Sequence, residues 1–257
     1  MKKLLTIAGS DCSGGAGIQA DLKTFAAHKT YGMSVITSLT AQNTMGVTDV
    51  VDLSPEFVGK QLDAVFSDIY PDAIKIGMVS NESIIKVIAR KLREYGAKNI
   101  VVDPVMVATS GSVLMDSKAN NTLINELLPL ADIITPNMQE ASVLSGIEVN
   151  NKEDMEKAAK IIAKFIDGAI LVKGGHLETS ADDLLLIDGK INWIEGEKIE
   201  NPNTHGTGCT LSSAIAVNLA NGMDVESSFI KAKEYLIGAI GDGLDLGEGR
   251  GPLNHLY

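Results

Sequence analysis

Short apolar runs alternate with amphipathic stretches along the whole chain. Residues 4–8 form an apolar run that predicts a first strand. Residues 17–29 place Ile18, Leu22 and Phe25 on one face at helical spacing and predict a helix. Further strands are expected over 34–39, 47–53, 73–76, 99–102, 132–134 and 169–173. Helices are expected from Ser54-Pro55-Glu56 onward, with serine as N-cap and proline at the first position. Others are expected over 80–95 (stopped by Gly96), 118–130, from Thr135-Pro136-Asn137 to Ser145, and over 155–165, 208–221 and 227–240. Residues 184–188 and 191–195 read as a hairpin around Gly189-Lys190.

Strand and helix in regular alternation predict an α/β fold with a mostly parallel sheet covered by helices on both faces. No repeat, low-complexity linker or break in composition divides the 257 residues, so one domain is expected. Apolar residues make up 45% of the chain and aromatics only 4%, which suits aliphatic strands buried on both faces. In such sheets ligands bind beyond the carboxyl ends of the strands. Six polar or glycine-rich segments fall at those ends: 9–17, 40–44, 77–78, 103–112, 135–140 and 173–176.

A formal net charge of −11 argues against nucleic acid and anionic membrane surfaces as partners. Any phosphate must therefore be held by locally focused positive groups. Cys12 and Cys209 show neither metal spacing nor a disulfide framework, which points to a reducing compartment. The apolar run after Met1-Lys2-Lys3 stops at Gly9-Ser10-Asp11, too short for a signal peptide, and no segment is long enough to span a bilayer. A cytoplasmic protein is expected.

The stretch Thr204-His205-Gly206-Thr207-Gly208-Cys209-Thr210 is the most informative motif. A glycine turn entering a helix presents free backbone N–H groups to one point, and the helix dipole adds positive charge there. A thiol at this position is expected to gain thiolate character from the same field. An anion cradle beside a base suggests phosphoryl transfer to an alcohol. Against this stands the ordinary fate of a free cysteine, which is to be a small buried hydrophobe. His205 is close in sequence, but its direction is open.

Other segments add chemistry, each with a plainer alternative. Residues 9–17 open the first helix but lack the ending of a P-loop. Gly15-Ala16-Gly17-Ile18-Gln19-Ala20 fits a loose dinucleotide pattern, yet the second strand ends in Thr37-Ser38-Leu39-Thr40 with no acid for a ribose. A substrate-binding loop beside Asp11 and Asp21 is the better reading. Asn137 and Glu140 offer oxygen ligands suited to water-mediated Mg²⁺, or they simply cap a helix. Asp103 before a proline could meet a metal or solvent. Lys173 before two glycines could meet a phosphate, His176 is given no role, and Gln42 could pair with a heterocycle.

Together these residues resemble the ribokinase-like superfamily, and within it the bacterial hydroxymethylpyrimidine/phosphomethylpyrimidine kinases of thiamine biosynthesis. The resemblance rests on Ala8-Gly9-Ser10-Asp11 with the glycine-rich run to Asp21, Thr40-Ala41-Gln42-Asn43-Thr44, Lys75-Ile76-Gly77-Met78, Val102-Asp103-Pro104-Val105, Thr135-Pro136-Asn137 with Glu140, Val172-Lys173-Gly174-Gly175-His176 and the motif ending at Cys209-Thr210. It implies a single-domain ribokinase-like fold. It also implies ATP-dependent phosphorylation of 4-amino-5-hydroxymethyl-2-methylpyrimidine to the monophosphate and then the diphosphate. By position, Gln42 would hydrogen-bond the aminopyrimidine, Gly9 and Asp21 would line its pocket, and Met78 would pack on the ring. Asn137 and Glu140 would organise Mg²⁺ with Asp103 nearby, and Lys173 would face the nucleotide phosphates. The amides of Gly206, Thr207, Gly208 and Cys209 would form the anion hole, with Cys209 as base. Relatives of this kind often form homodimers. Sugar kinases of the superfamily carry aspartate where Cys209 stands, whereas cysteine matches the pyrimidine branch and some bacterial pyridoxal kinases. The 40–44 segment favours pyrimidine. Glycine and serine near Thr109-Ser110-Gly111 would allow a lid.

Overall fold

The computed structural model describes residues 1–106, 117–175, 177, 180–242 and 244–257. In chain order its elements are β1 (Lys3–Asp11), α1 (Gly17–Ala27), β2 (Tyr31–Asn43), β3 (Gly46–Asp52), α2 (Pro55–Asp68), β4 (Ala73–Ile76), α3 (Glu82–Tyr95) and β5 (Ile100–Val102). There follow α4 (Ser117–Thr122), β6 (Ile133–Ile134), α5 (Met138–Ser145), α6 (Lys152–Ile162), β7 (Ala169–Val172), β8 (Asp183–Ile187), β9 (Lys190–Ile194), α7 (Thr207–Ala220) and α8 (Val225–Gly241). Among the described residues the strands form one sheet in the order β3-β2-β1-β4-β5-β6-β7-β8-β9. The stretch from β2 to β7 is parallel, and β3, β8 and β9 are antiparallel edges.

Strand periodicity sorts the apolar side chains onto two faces. Ile100 and Val102 of β5 join Ile74, Ile76, Ile134 and Ile170 on one face, against Leu62 of α2, Ile85 of α3 and Met155 of α6. Val101 points the other way, with Leu4, Ala73 and Leu171, against Phe25 of α1, Ile215 of α7 and Phe229 of α8. Helix α7 is buried on all sides from Thr210 to Ala220. Its alanines and serines let it lie close under the sheet. No helix among the described residues is long and apolar enough to cross a membrane.

Several boundaries differ from the pattern-based expectations. β2 runs on through Asn43, because β3 returns antiparallel and pairs Ala41 with Asp49 and Gln42 with Val47. The 40–44 segment is therefore mainly the arm of a hairpin rather than a strand-end loop. The helix expected over 118–130 breaks into α4, a π turn over Leu123–Leu127 and a 3₁₀ turn over Leu128–Leu130. Pro129 lacks an N–H and crowds the preceding turn, so a regular helix cannot run through it. Helix α6 starts three residues early, because Asn151 caps it through Asp154 N–H at 3.0 Å. The β8–β9 turn sits at Asp188-Gly189, both with positive φ (50° and 73°), as a type I′ hairpin requires.

One interaction crosses the apolar interior. Lys75 of β4 and Asp21 of α1 are both fully buried and form an ion pair at 2.9 Å. Asp21 also accepts hydrogen bonds from Thr6 Oγ1 of β1 at 2.6 Å and Ser213 Oγ of α7 at 2.8 Å. Burial alone would discharge the lysine, but the Asp21 charge outweighs it and raises the ammonium above its ordinary range. Removing one partner leaves an uncompensated buried charge. Asp21→Ala is expected to cost roughly 3–5 kcal/mol in urea unfolding, and Asp21→Asn with Lys75→Met to recover most of that loss. A loss under about 1 kcal/mol for Asp21→Ala would refute a structural role for the pair.

Candidate active site

The carboxyl ends of β1, β4, β5, β6 and β7 meet the start of α7, and each contributes one part. At the end of β1 the register with β2 shifts between Ala8 and Ser10, in a bulge at Gly9. Gly9 lies directly against Met78, since a Cβ there would come within 2.9 Å of the flexible Met78 Cε. Asp11 then organises the loop. Its Oδ1 accepts from Ser13 N–H at 2.9 Å and Ser13 Oγ at 2.7 Å, and its Oδ2 from Gly15 N–H at 3.1 Å and Ala16 N–H at 2.8 Å. His205 Nε2 adds a contact at 2.9 Å. Burial would raise this carboxyl, but the bonds from His205, Ser13 and Ala16 hold it well below the usual carboxylate range.

The glycine turn enters α7 uncapped. Gly206 is the N-cap of α7 in a left-handed conformation (φ 88°), and no side chain caps the helix. Thr207 N–H leans on Thr204 O at 3.3 Å and is partly committed. Beneath the turn, Lys173 Nζ pairs with Asp103 Oδ1 at 2.9 Å, and Thr135 Oγ1 donates to the same oxygen at 3.1 Å. A Cβ on Gly208 would lie 3.2 Å from Asp103 Oδ2 and 3.3 Å from Lys173 Nζ, so the ion pair sits directly against the turn. Burial would lower the Lys173 ammonium, but Asp103 and Glu140 raise it above the ordinary lysine range.

Asn137 and Glu140 form a reciprocal capping box on α5, with Glu140 N–H donating to Asn137 Oδ1 at 2.8 Å and Asn137 N–H to Glu140 Oε2 at 2.7 Å. Capping is thus real, and it also aims the Glu140 carboxylate toward Asp103 and Lys173. Burial, opposed by Lys173 and reinforced by Asp103, pushes the Glu140 carboxyl up to about 7. Among the described residues no three His, Cys, Asp or Glu side chains converge to hold a metal directly. The donor set that exists is all oxygen and carries surplus negative charge, which fits a largely hydrated Mg²⁺.

The thiol differs most from expectation. Cys209 is half-buried in the first turn of α7. Burial pushes its pKa up to about 11, although the Lys75 charge and a hydrogen bond from Gly17 N–H pull it down. The helix field does not generate a resting thiolate, because desolvation is the larger effect. Asp21 also differs from its expected part as a pocket wall. It is fully buried, and its oxygens are taken by Thr6, Lys75 and Ser213. Gln42 and Met78 are both half-buried beside the first loop. Gln42 Nε2 lies 3.3 Å from His205 Nε2, and its Oε1 lies 3.2 Å from Thr40 Oγ1. Cys12 is exposed and meets the Gln42 backbone, its thiol donating to the carbonyl at 3.2 Å and its sulfur accepting from the N–H at 3.3 Å. The 109–111 segment and His176 lie outside the described residues.

Sequence reasoning passed over Lys75, Asp11 and His205 as site residues. Lys75 carried a signal, since a lysine inside Ala73-Ile74-Lys75-Ile76 has no solvent to reach. The Asp11–His205 contact joins residues 194 positions apart and had none.

The pattern of the phosphomethylpyrimidine kinase family matches residues 11–254. A hydroxymethylpyrimidine/phosphomethylpyrimidine kinase from Rhizobium meliloti is 51% identical over 98% of this chain and 96% of its own. The crystal structure of a phosphomethylpyrimidine kinase from Clostridium difficile is 47% identical, with a TM-score of 0.84 over 93% of this chain and 100% of that one. A pyridoxal kinase from Staphylococcus aureus, in complex with AMP-PCP and pyridoxal, is 38% identical, with a TM-score of 0.90 over 100% of this chain and 94% of that one. With a ribokinase-like sheet, an anion turn on α7 and a cysteine at its mouth, the chain belongs to the phosphomethylpyrimidine kinase family.

Proposed function

We propose that this protein transfers the γ-phosphoryl group of ATP to the hydroxymethyl group of 4-amino-5-hydroxymethyl-2-methylpyrimidine, and then a second phosphoryl group to the monophosphate, in thiamine biosynthesis. The carrying observation is the Asp103–Lys173 ion pair packed beneath the uncapped turn Gly206-Thr207-Gly208-Cys209. Family membership supports the same reading. A cytoplasmic setting belongs to it.

Phosphoryl transfer needs alignment and charge neutralisation more than covalent chemistry. The first-turn amides of α7 and the Lys173 ammonium face the region where negative charge develops. Asn137 and Glu140, with Asp103 beside them, would hold Mg²⁺ through water, and the ion would neutralise phosphate charge when bound. Gln42, Met78 and the Gly9 bulge position the ring, which supplies the orientation part of catalysis. Asp21 contributes from behind by holding Lys75 under Cys209.

In the first transfer the alcohol oxygen bonds to the γ-phosphorus while the bond to the departing ADP oxygen breaks. The alcohol proton passes to Cys209 Sγ. In the second transfer the acceptor is a phosphate oxygen that is already anionic, so no such proton has to be removed. Cys209→Ala is therefore expected to slow transfer to the alcohol by roughly a hundredfold and transfer to the monophosphate by less than about tenfold. Steady-state assays of each step decide this, and equal losses would sink the division of roles. The thiol titrates near 11. Only its deprotonated form accepts the proton, so the alcohol step should accelerate as pH rises through neutrality, and Cys209→Ala should flatten that slope.

Gln42→Met is expected to raise KM for the aminopyrimidine alcohol about tenfold, the worth of one to two hydrogen bonds, with KM for ATP nearly unchanged. Unaltered pyrimidine kinetics would remove Gln42 from the ring site. The likeness to a pyridoxal-bound kinase supports a second reading, a side activity on pyridoxal. Parallel assays with pyridoxal separate the two.

The β2–β3 arm supports a homodimer. β3 is the sheet edge, and Leu39 and Val51 stand opposite one another in register, 46% and 58% exposed. An apolar edge strand of this kind is stabilised by pairing with a second copy. Val51→Lys should shift the mass in sedimentation or light scattering from dimer toward monomer, whereas a wild-type monomer would refute this assembly.

A further inference from the structure

The contacts around Gln42 carry more information than its placement alone. They determine which way its amide must face. Asp11 accepts from two backbone amides through Oδ2 and from Ser13 through Oδ1. A carboxylate surrounded by donors is ionised and offers no proton, so the 2.9 Å contact to His205 requires the proton to be on His205 Nε2. The buried imidazole is fixed as a donor at that nitrogen.

The consequence reaches Gln42. As oriented, its Nε2 lies 3.3 Å from His205 Nε2, which sets donor against donor. Its Oε1 lies 3.2 Å from Thr40 Oγ1. Thr40 has one hydroxyl proton, and the backbone oxygen of Ser10, 3.0 Å away, is an acceptor that takes it. The Gln42 oxygen therefore faces a spent donor, and acceptor meets acceptor. Both conflicts disappear when the amide is turned by 180°, which exchanges its nearly isosteric oxygen and nitrogen. Oε1 then takes the longer share of the His205 Nε2–H, whose main acceptor is Asp11 Oδ2, and Nε2 donates to Thr40 Oγ1. Two independent neighbours demand the same orientation.

We propose that Asp11, His205 and Thr40 are specificity-determining positioning residues: through the His205 Nε2 proton and the Thr40 hydroxyl they lock the Gln42 amide with its oxygen toward His205 and its NH₂ toward Thr40. The proposal rests on the reading of Gln42 as the ring contact. In the locked amide, the oxygen keeps one lone pair and the nitrogen one proton for a ligand. An amide of fixed polarity accepts a heterocycle that presents an exocyclic amino group beside a ring nitrogen, and in one direction only. The amino group falls on the His205 side and the ring nitrogen on the Thr40 side. A ring docked the other way meets donor with donor, which rejects it more strongly than a missing contact would.

The prediction has a direct and a kinetic arm. Long-range ¹H–¹⁵N correlation spectra of the intact, uniformly labelled protein identify the tautomer of each of its four histidines. His205 should be protonated at Nε2. A neutral Nδ1–H tautomer overturns the proposal whether or not any variant folds. For kinetics, the substrate is compared with its analogue lacking the 4-amino group. Wild type should prefer the amino compound, His205→Met should reduce that preference about tenfold, and His205→Gln, which restores a donor, should recover it. A merely structural role for His205 would depress both substrates alike and leave their ratio unchanged, and that result refutes the proposal. Gln42→Met is measured beside them. If it leaves the ratio intact, the ring-contact reading has failed; if it abolishes the ratio while His205→Met does not, only the locking mechanism has failed.

Discussion

The buried pair between Asp21 and Lys75 is the constraint on which the rest of the architecture depends. It sets a fully buried ion pair in the packed interior between sheet and α1/α7, with both carboxylate oxygens hydrogen-bonded. A pair of this kind is weak evidence for stability but strong evidence for a defined arrangement, since its partners tolerate few alternatives. Here it ties β1, β4, α1 and α7 at one depth. Ser213 lies one helical turn beyond Cys209, so the hydrogen bond from Ser213 to Asp21 also sets the rotation of α7 about its axis. The glycine turn at Gly206 is the start of that helix. Lys75 thereby acts twice, first as half of a structural clamp and then as a favourable charge that partly offsets the burial keeping the Cys209 thiol protonated.

A protein with net charge −11 handles phosphate through such local devices. Ammonium groups at the strand ends are held by carboxylates, and helix amides are left uncapped. Each cation is paired in the described structure, Lys75 with Asp21 and Lys173 with Asp103. That pairing keeps the cleft from presenting bare positive charge, and it keeps both lysines ionised in surroundings that would otherwise neutralise them.

Much of this was legible in the chain itself. Short runs of three to seven residues predicted the strands, and Ser54-Pro55, Gly96 and the Asn137…Glu140 spacing marked helix ends that the structure contains. The glycine turn at 206–208 and the lysine after β7 were readable because their chemistry is local. What stayed hidden depends on the third dimension. The extension of β2 follows from pairing with β3, and the unwinding near Pro129 from a choice between helix types that periodicity does not resolve. The protonated state of Cys209 reflects desolvation, a property of neighbours rather than of a motif. Asp21 looked like a pocket residue because it follows a ligand loop, yet the helix turns it inward. The union of Asp11 with His205 joins residues 194 positions apart, and no spacing rule anticipates it.

The burial of α7 along eleven consecutive residues divides the molecule into an unequal pair of partners. A turn mounted on the most enclosed helix cannot be re-aimed without reopening the interior, so the phosphate half of the reaction is inherited almost unchanged with the fold. The acceptor half hangs on a bulge, a loop and an edge hairpin, whose residues answer mainly to one another. Such a molecule is free to change its clientele by rewriting a few positions of that bulge, loop and hairpin while its chemistry stays where it is. Relatives that share this scaffold and are crystallised with a different vitamin are what that asymmetry would produce.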